Sequence, residues 1–282
     1  MDGPSPPAAI PEYLDVSIRR ALRPLIRFFL SRGIGLPFLI ERLKAIYVEV
    51  AEDDFPIEGR KQTDSRISLL TGVHRKDVRR LRDANPVASE NVSKSVLLGM
   101  RLVGYWAGSS EYSDDNGEPL PLARLASKGG KKSFEALVQS VSTDIRSRAM
   151  LDELLRLGVV RRDNEDRIHL EKAAFIPEKG IEQKAYFFGH NLHDHIAAAA
   201  HNLNGIAPAF LERSVSYNEL SETSVTEVRR LTEVHAMKAL LAINKKALEL
   251  EKKDARSKGL RFRFDFGAYF YSEPTLPASK GR

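Results

Sequence analysis

The stretch that most constrains this chain is Thr63 to Arg82, TDSRISLLTGVHRKDVRRLR. Thr63 can cap a helix running through Asp64, Arg66 and Leu70, because its hydroxyl can accept an orphan backbone N–H of the first turn. Ile67 and Leu70, three apart, share one face of that helix. Thr71-Gly72-Val73 then breaks it, with Gly72 supplying the left-handed backbone conformation that a residue with a Cβ resists. A second helix can start at once, with His74 near its cap. A cap, a short helix, a glycine turn and a basic helix in this order make a helix-turn-helix.

On the second helix Val78 and Leu81 fall on one side, while Lys76 and Arg80 point nearly the opposite way and Arg75, Arg79 and Arg82 form a flanking stripe. A helix that buries its apolar edge on a scaffold and turns guanidinium groups outward suits the DNA major groove, where arginine pairs bidentately with guanine and neutralises phosphate. Asp77 and Asp83 dilute that charge, and cations near a helix C-terminus are favoured by the macrodipole whatever the helix touches. The residues expected at DNA are Thr63, His74, Arg75, Lys76, Arg79, Arg80 and Arg82, joined by Lys131 and Lys132 from a later basic run.

The chain has 282 residues, enough for about two domains. A formal charge of +6 and an isoelectric point near 9.4 favour an anionic partner, although the excess is modest for this length. There is no cysteine, which excludes disulfides, thiolate metal sites and cysteine nucleophiles and leaves the cytoplasm as the expected compartment. Met1 to Pro11 lacks the basic and apolar regions of a secretory signal. Ala21 to Ile40 is the most apolar window, but Arg23, Arg27, Arg32 and two prolines interrupt it, so no membrane span is expected.

Residues 1–12 read as a disordered tail and residues 13–107 as the helix-turn-helix domain. Within it, Ile18, Leu22, Leu25 and Phe29 mark a first helix that Pro24 should bend or split, and Leu39, Leu43, Ile46 and Val50 mark a second. Val92 to Trp106 reads as a further helix, or a helix followed by a strand, with Trp106 in the core. Residues 108–132 read as a linker and hairpin segment, with a turn at Asp115-Asn116-Gly117 and a flexible basic link at Lys128-Gly129-Gly130-Lys131-Lys132. That run lacks the spacing of a nucleotide-binding loop.

Residues 133–180 look like a second small unit. A helix carries Phe134, Leu137 and Val138, another runs from about Asp144 to Leu157, and Val159 to Arg162 pairs with Arg167 to Leu170 around Asp163-Asn164-Glu165-Asp166. Two helices and a β-hairpin suggest a winged helix. Residues 181–273 read as an α+β unit. It holds a helix with Phe187, Leu192, Ile196, Ala199 and Leu203, a strand over Ser214 to Leu220, a long charged helix from Thr223 to about Lys253, and a strand in which Phe262, Phe264 and Phe266 alternate with Arg261, Arg263 and Asp265. Homodimerisation through Tyr217 to Tyr271 is expected, since DNA-reading dimers need a module that sets half-site spacing. Residues 274–282 read as a second tail.

His190, His193, His195 and His201 invite a metal reading. His190, His193 and Asp194 can converge at i, i+3 and i+4, but His195 points away and His201 lies about 16 Å along the axis from His190. No metal and no cofactor is expected. No nucleophile elbow, HExxH, dinucleotide glycine pattern or close Ser, His and Asp set is present, so the chain reads as non-catalytic.

Taken together, the N-terminal helices with TGVHRKDVRRL, the Trp106 to Pro121 segment, SFEALV with LDELLRLGVV, and HDHIAAAAHNL resemble an uncharacterised proteobacterial family known only as a domain of unknown function. That resemblance covers most of the chain outside the tails and implies a bacterial, cytoplasmic protein of no established activity. The helix-turn-helix portion is similar to bacterial transcription regulators, and by that similarity Arg75, Lys76, Arg79 and Arg80 read the groove. His74 departs from the serine or threonine such regulators often carry at the cap. The expected fold is mainly α with small β elements: an N-terminal helix-turn-helix, a central winged-helix-like unit and a C-terminal α+β unit with one long helix. The expected function is a transcriptional regulator binding double-stranded DNA, with a non-catalytic interaction or scaffold protein as the alternative. The operator, the regulated genes and any small-molecule effector are not encoded in a readable motif.

Overall fold

The computed structural model describes residues 11–84, 94–171 and 180–275, so the bulk of both expected tails lies outside the described residues. The chain divides into two compact units at Glu90/Asn91.

In the first unit, α1 (Glu12–Ser31) runs unbroken through Pro24 and has no buried residue. Of the bend or split expected at Pro24, the split does not occur. Gly33, at φ 71°, follows it, and Pro37 sits in the first turn of α2 (Leu36–Asp53). Helices α3 (Asp64–Thr71) and α4 (Arg75–Asp83) pack against α2 and against each other. Val48 and Ala51 from α2, Ile67 from α3, Val73 from the turn and Val78 from α4 form one buried cluster, with Leu81 against it. Helical spacing places those of α2, α3 and α4 on the inward face of their helices.

The turn between α3 and α4 depends on Gly72, which caps α3 at φ 72° and ψ 0° while its N–H donates to the Ser68 carbonyl. A Cβ there would meet no atom within 4 Å, so the cost of a side chain is purely conformational. Gly72→Ala is expected to destabilise this unit by about 1–2 kcal/mol, with Gly72→Asn costing less because asparagine tolerates the left-handed region. Paired thermal melts check both.

The second unit begins earlier than the sequence suggests. Helix α5 (Lys94–Gly108), expected to complete the N-terminal domain, instead packs on α7 (Phe134–Val141), α8 (Ser147–Arg156) and α10 (Glu222–Asp254). The reason is the apolar ring it helps to close: Leu102 and Trp106 are buried with Leu122, Phe134, Leu137, Met150, Leu154 and Ile168. Trp106 is fully buried, its Nε1–H donates to the Leu120 carbonyl at 3.1 Å, and its ring meets Phe134 edge to face.

Strand β1 (Leu122–Ala123) and the hairpin of β2 (Val160–Arg162) and β3 (Arg167–Leu170) form an antiparallel sheet in the order β1-β3-β2. The hairpin and its flanking helices match expectation, with Gly158 at φ 70° after α8. The turn at Asp115-Asn116-Gly117 also forms, closed by Asp114 Oδ1, which accepts from the N–H groups of Asn116 and Glu118. The expected flexible link does not: Lys128 and Gly129 close the short helix α6 (Ala126–Gly129), and the Ser133 hydroxyl donates to the Gly130 carbonyl and caps α7. β1, too short to show a period, was not visible in the sequence.

Beyond this core, α9 (Ile181–Leu203) and the 33-residue α10 are long helices with little burial: Gln183 and Phe187 in α9, nothing in α10. Gly108 marks where α10 meets α5; a Cβ there would lie 2.6 Å from Asn244 Nδ2, which donates to the Gly104 carbonyl. The strands expected over Ser214 to Leu220 and Phe262 to Phe266 are not formed. Among the described residues neither segment has a neighbouring strand, and a strand exists only as part of a ladder.

Candidate nucleic-acid interface

Each helix of the helix-turn-helix is capped at its N-terminus by a side chain. Thr63 Oγ1 accepts from the Arg66 N–H at 3.3 Å, and His74 Nδ1 accepts from the Lys76 N–H at 3.2 Å. The histidine ring thus supplies the bond that serine or threonine would give, and the residue that departs from the regulator pattern still starts the helix. Thr71 Oγ1 donates to the Ile67 carbonyl and accepts from the Val73 N–H, which fixes the turn from within.

On α4 the cations fall into two groups. Arg75, Lys76 and Arg79 are exposed and lie within about 100° of one another around the axis, each at least about 120° from Leu81. Arg79 makes one loose ion pair, to Asp83 at 3.9 Å, with both side chains more than two-thirds exposed. This arc is a free basic surface.

Arg80 and Arg82, also expected at DNA, are engaged within the unit. Arg80 bonds Glu41 of α2 at 2.8 Å and Asp77 at 3.2 Å, and Lys44 of α2 bonds Asp77 at 3.1 Å. Hydrogen bonds from Lys44 and then Arg80 hold the Glu41 and Asp77 carboxyls below their ordinary range. Arg82 is taken up further: its Nε and Nη2 clasp Glu52 of α2 while Nη1 reaches Asp64 at the start of α3, and its side chain is 23% exposed. The two carboxylates, Glu52 foremost, raise its affinity for its proton further. Arg82 therefore ties the three helices together and is unavailable as a free cation.

Arg82→Ala would strand two partly buried carboxylates. It is expected to cost about 1–2 kcal/mol of stability, the pair being too solvated for the full penalty of a buried ion pair. Arg80→Ala, at a more exposed network, should cost less, and urea unfolding of both variants checks the order. Asp77 apart, the acidic partners lie 18 to 39 residues before the arginines they bind, so no local pattern could have named them.

Lys131 and Lys132 are exposed but belong to the second unit, where the Lys131 carbonyl accepts from Tyr112 Oη. The other helix that could read DNA, α8, exposes Arg148 and Arg156 beside Asp152, and Arg156 is held by Glu153 at 2.7 Å. Its hairpin carries Arg161, Arg162 and Arg167, each paired with an acid of the same hairpin region: Glu171, Asp166 and Asp163.

The histidine cluster is resolved by two of its members and by a residue the sequence did not connect to it. His190 Nε2 lies 3.0 Å from Asp265 and 3.7 Å from Asp194, a set whose ligand atoms are close enough to converge on a cation. Arg263 already occupies both Asp194 oxygens at 2.6 and 2.8 Å, and His193 Nδ1 lies 2.8 Å from the same carboxylate. The arrangement is thus an ion-pair network that fastens residues 263–265 to α9. His195 and His201 take other partners, the rings of Tyr269 and Phe210.

Arg263 holds the Asp194 carboxyl well below the usual range. A depressed carboxylate contributes stability above its unfolded value near about 3.9, and that contribution drains away as pH falls through the folded value. The Arg263 Nη–H resonances are therefore expected to stay protected from pH 7 to about pH 5 and to be lost in stronger acid, while Asp194→Asn loses them at neutral pH.

A family model described as a family of unknown function matches residues 12–278. No curated protein and no solved structure matches the chain. Among the described residues no helix is long and apolar enough to cross a membrane.

Proposed function

Since the chain belongs to this family of unknown function, DUF6502, no relative lends it an activity, and we propose from the site itself that it is a cytoplasmic DNA-binding protein of the transcription-regulator type, reading the major groove with α4. The observation that carries this reading is the sorting of the α4 cations. Arg82 and Arg80, at the two flanks, brace the helix on α3 and α2, while Arg75, Lys76 and Arg79 stand together, exposed, on the arc between them. A helix braced on its scaffold with three cations outward at its N-terminal half has the form of a recognition helix, whose first turns meet base edges. To Thr63, at the capped start of α3, this reading gives a contact with backbone phosphate.

The second unit supports the regulator reading by topology. Helix α5, strand β1, helices α7 and α8 and the hairpin β2–β3, with sheet order β1-β3-β2, follow the order of a winged helix. Its paired arginines and acidic hairpin tip favour a role in packing or protein contact over a second DNA contact. That same feature is what favours the alternative, an interaction module that keeps this architecture without reading DNA.

Selection from a randomised duplex pool tests the proposal. Enrichment of one motif, with affinity for the selected duplex falling steeply with salt, is the expected result. No enrichment and no salt-dependent binding would replace the DNA reading by the interaction module.

A further inference from the structure

The strap that follows α10 is mounted inside out. Arg263 and Asp265 face the chain's own α9, bound to Asp194 and His190, so the intervening aromatic residues are turned to solvent: Phe262 is 86% and Phe264 63% exposed, beside an exposed Leu260. The segment 209–217 runs on the same helix, held by paired hydrogen bonds between Asn202 and the Phe210 backbone, and it exposes Leu211, Val215 and Tyr217. Among the described residues, no backbone group between Lys258 and Phe270 bonds to another backbone group. An anchored, extended segment with open edges and an outward aromatic face needs a cover.

We propose that the cover is a second copy of this chain, with the segment Arg261 to Gly267 of each copy pairing antiparallel about Phe264. Three features select this occupant. Antiparallel pairing centred on Phe264 sets Phe262 of each copy opposite Phe266 of the other and Phe264 opposite itself, so aromatic side chains meet across a twofold axis; on the face toward α9, Arg263 of each copy, still held by Asp194, has Asp265 of the other beside it and no like charge. Pairing of like strands satisfies the open backbone groups of both copies at once. The surface also fits. Leu260, Phe262, Phe264, Leu211, Val215 and Tyr217 are all more than 60% exposed, a run of bare apolar side chains of the kind that marks protein contacts.

Sedimentation of the full chain without DNA tests this independently of the DNA reading. The wild type is expected to sediment as a dimer at low micromolar concentration, and a Phe262→Asp, Phe264→Asp double variant as a monomer, with dimer affinity reduced at least about hundredfold. The wild-type chain has no cysteine, so Phe264→Cys introduces a single thiol. Residues 264 of the two copies would face each other with Cβ atoms about 4.5–5.5 Å apart, and mild oxidation is expected to give a disulfide-linked dimer. The cross-link decides the matter if the aspartate variant loses helical signal. A wild type that stays monomeric at tens of micromolar, a dimer indifferent to the aspartates, or a dimer that does not cross-link through residue 264 would overturn the proposal.

Discussion

Replacing Arg75, Lys76 and Arg79 together by alanine is expected to weaken binding to a selected duplex by about 10²–10⁴-fold while leaving the fold intact. Each cation that meets a base edge contributes on the order of 1–3 kcal/mol, and each that meets a phosphate contributes about 0.9 to the slope of log affinity against log salt. The salt slope of the triple variant should therefore fall by up to about three units. Stability should hardly change, because none of the three side chains is buried and the one ion pair among them, Arg79 to Asp83 at 3.9 Å, is exposed on both sides. Fluorescence anisotropy across salt and a thermal melt on the same samples separate the two effects. Retained affinity in the triple variant would remove α4 from the interface. Arg82→Ala should give the reverse pattern, lower stability with binding preserved in the folded fraction.

Trp106→Ala is expected to be the most damaging single substitution, costing about 3–5 kcal/mol in the second unit. The indole is fully buried between α5 and α7, so its removal opens a cavity in the centre of the largest apolar cluster. It also strips the Leu120 carbonyl of its Nε1–H donor, leaving a polar group without that partner. Trp106→Phe keeps most of the volume but not the hydrogen bond and should fall between the two. Calorimetry of the full chain is the measurement of choice, because the loss should appear in the transition of residues 91–282 while that of the N-terminal helices stays in place. A melt unchanged in both transitions would mean that the cluster tolerates the cavity.

The helix-turn-helix was legible because its determinants are local. Thr63 and Arg66 are three residues apart, His74 and Lys76 two apart, and Gly72 acts through its own φ. The same holds for the hairpin at Asp163 to Asp166 and for α10, whose charged pattern alone sets its length to within a residue or two. Short-range hydrogen bonds and the 3.6-residue period leave their trace within one or two turns of sequence.

What the sequence by itself determined is where helices start and stop, where the chain turns, and that a basic helix follows a glycine. Only the tertiary structure decided which of its cations are free. Arg80 and Arg82 look no different in sequence from Arg75 and Arg79, yet Glu41, Glu52 and Asp64 claim them across 18 to 39 residues. It also decided that α5 joins the second unit, and that Phe262, Phe264 and Phe266 alternate without making a strand within their own chain. Ion pairs, core membership and sheet pairing join residues distant in sequence, and their partners are chosen only when the elements pack.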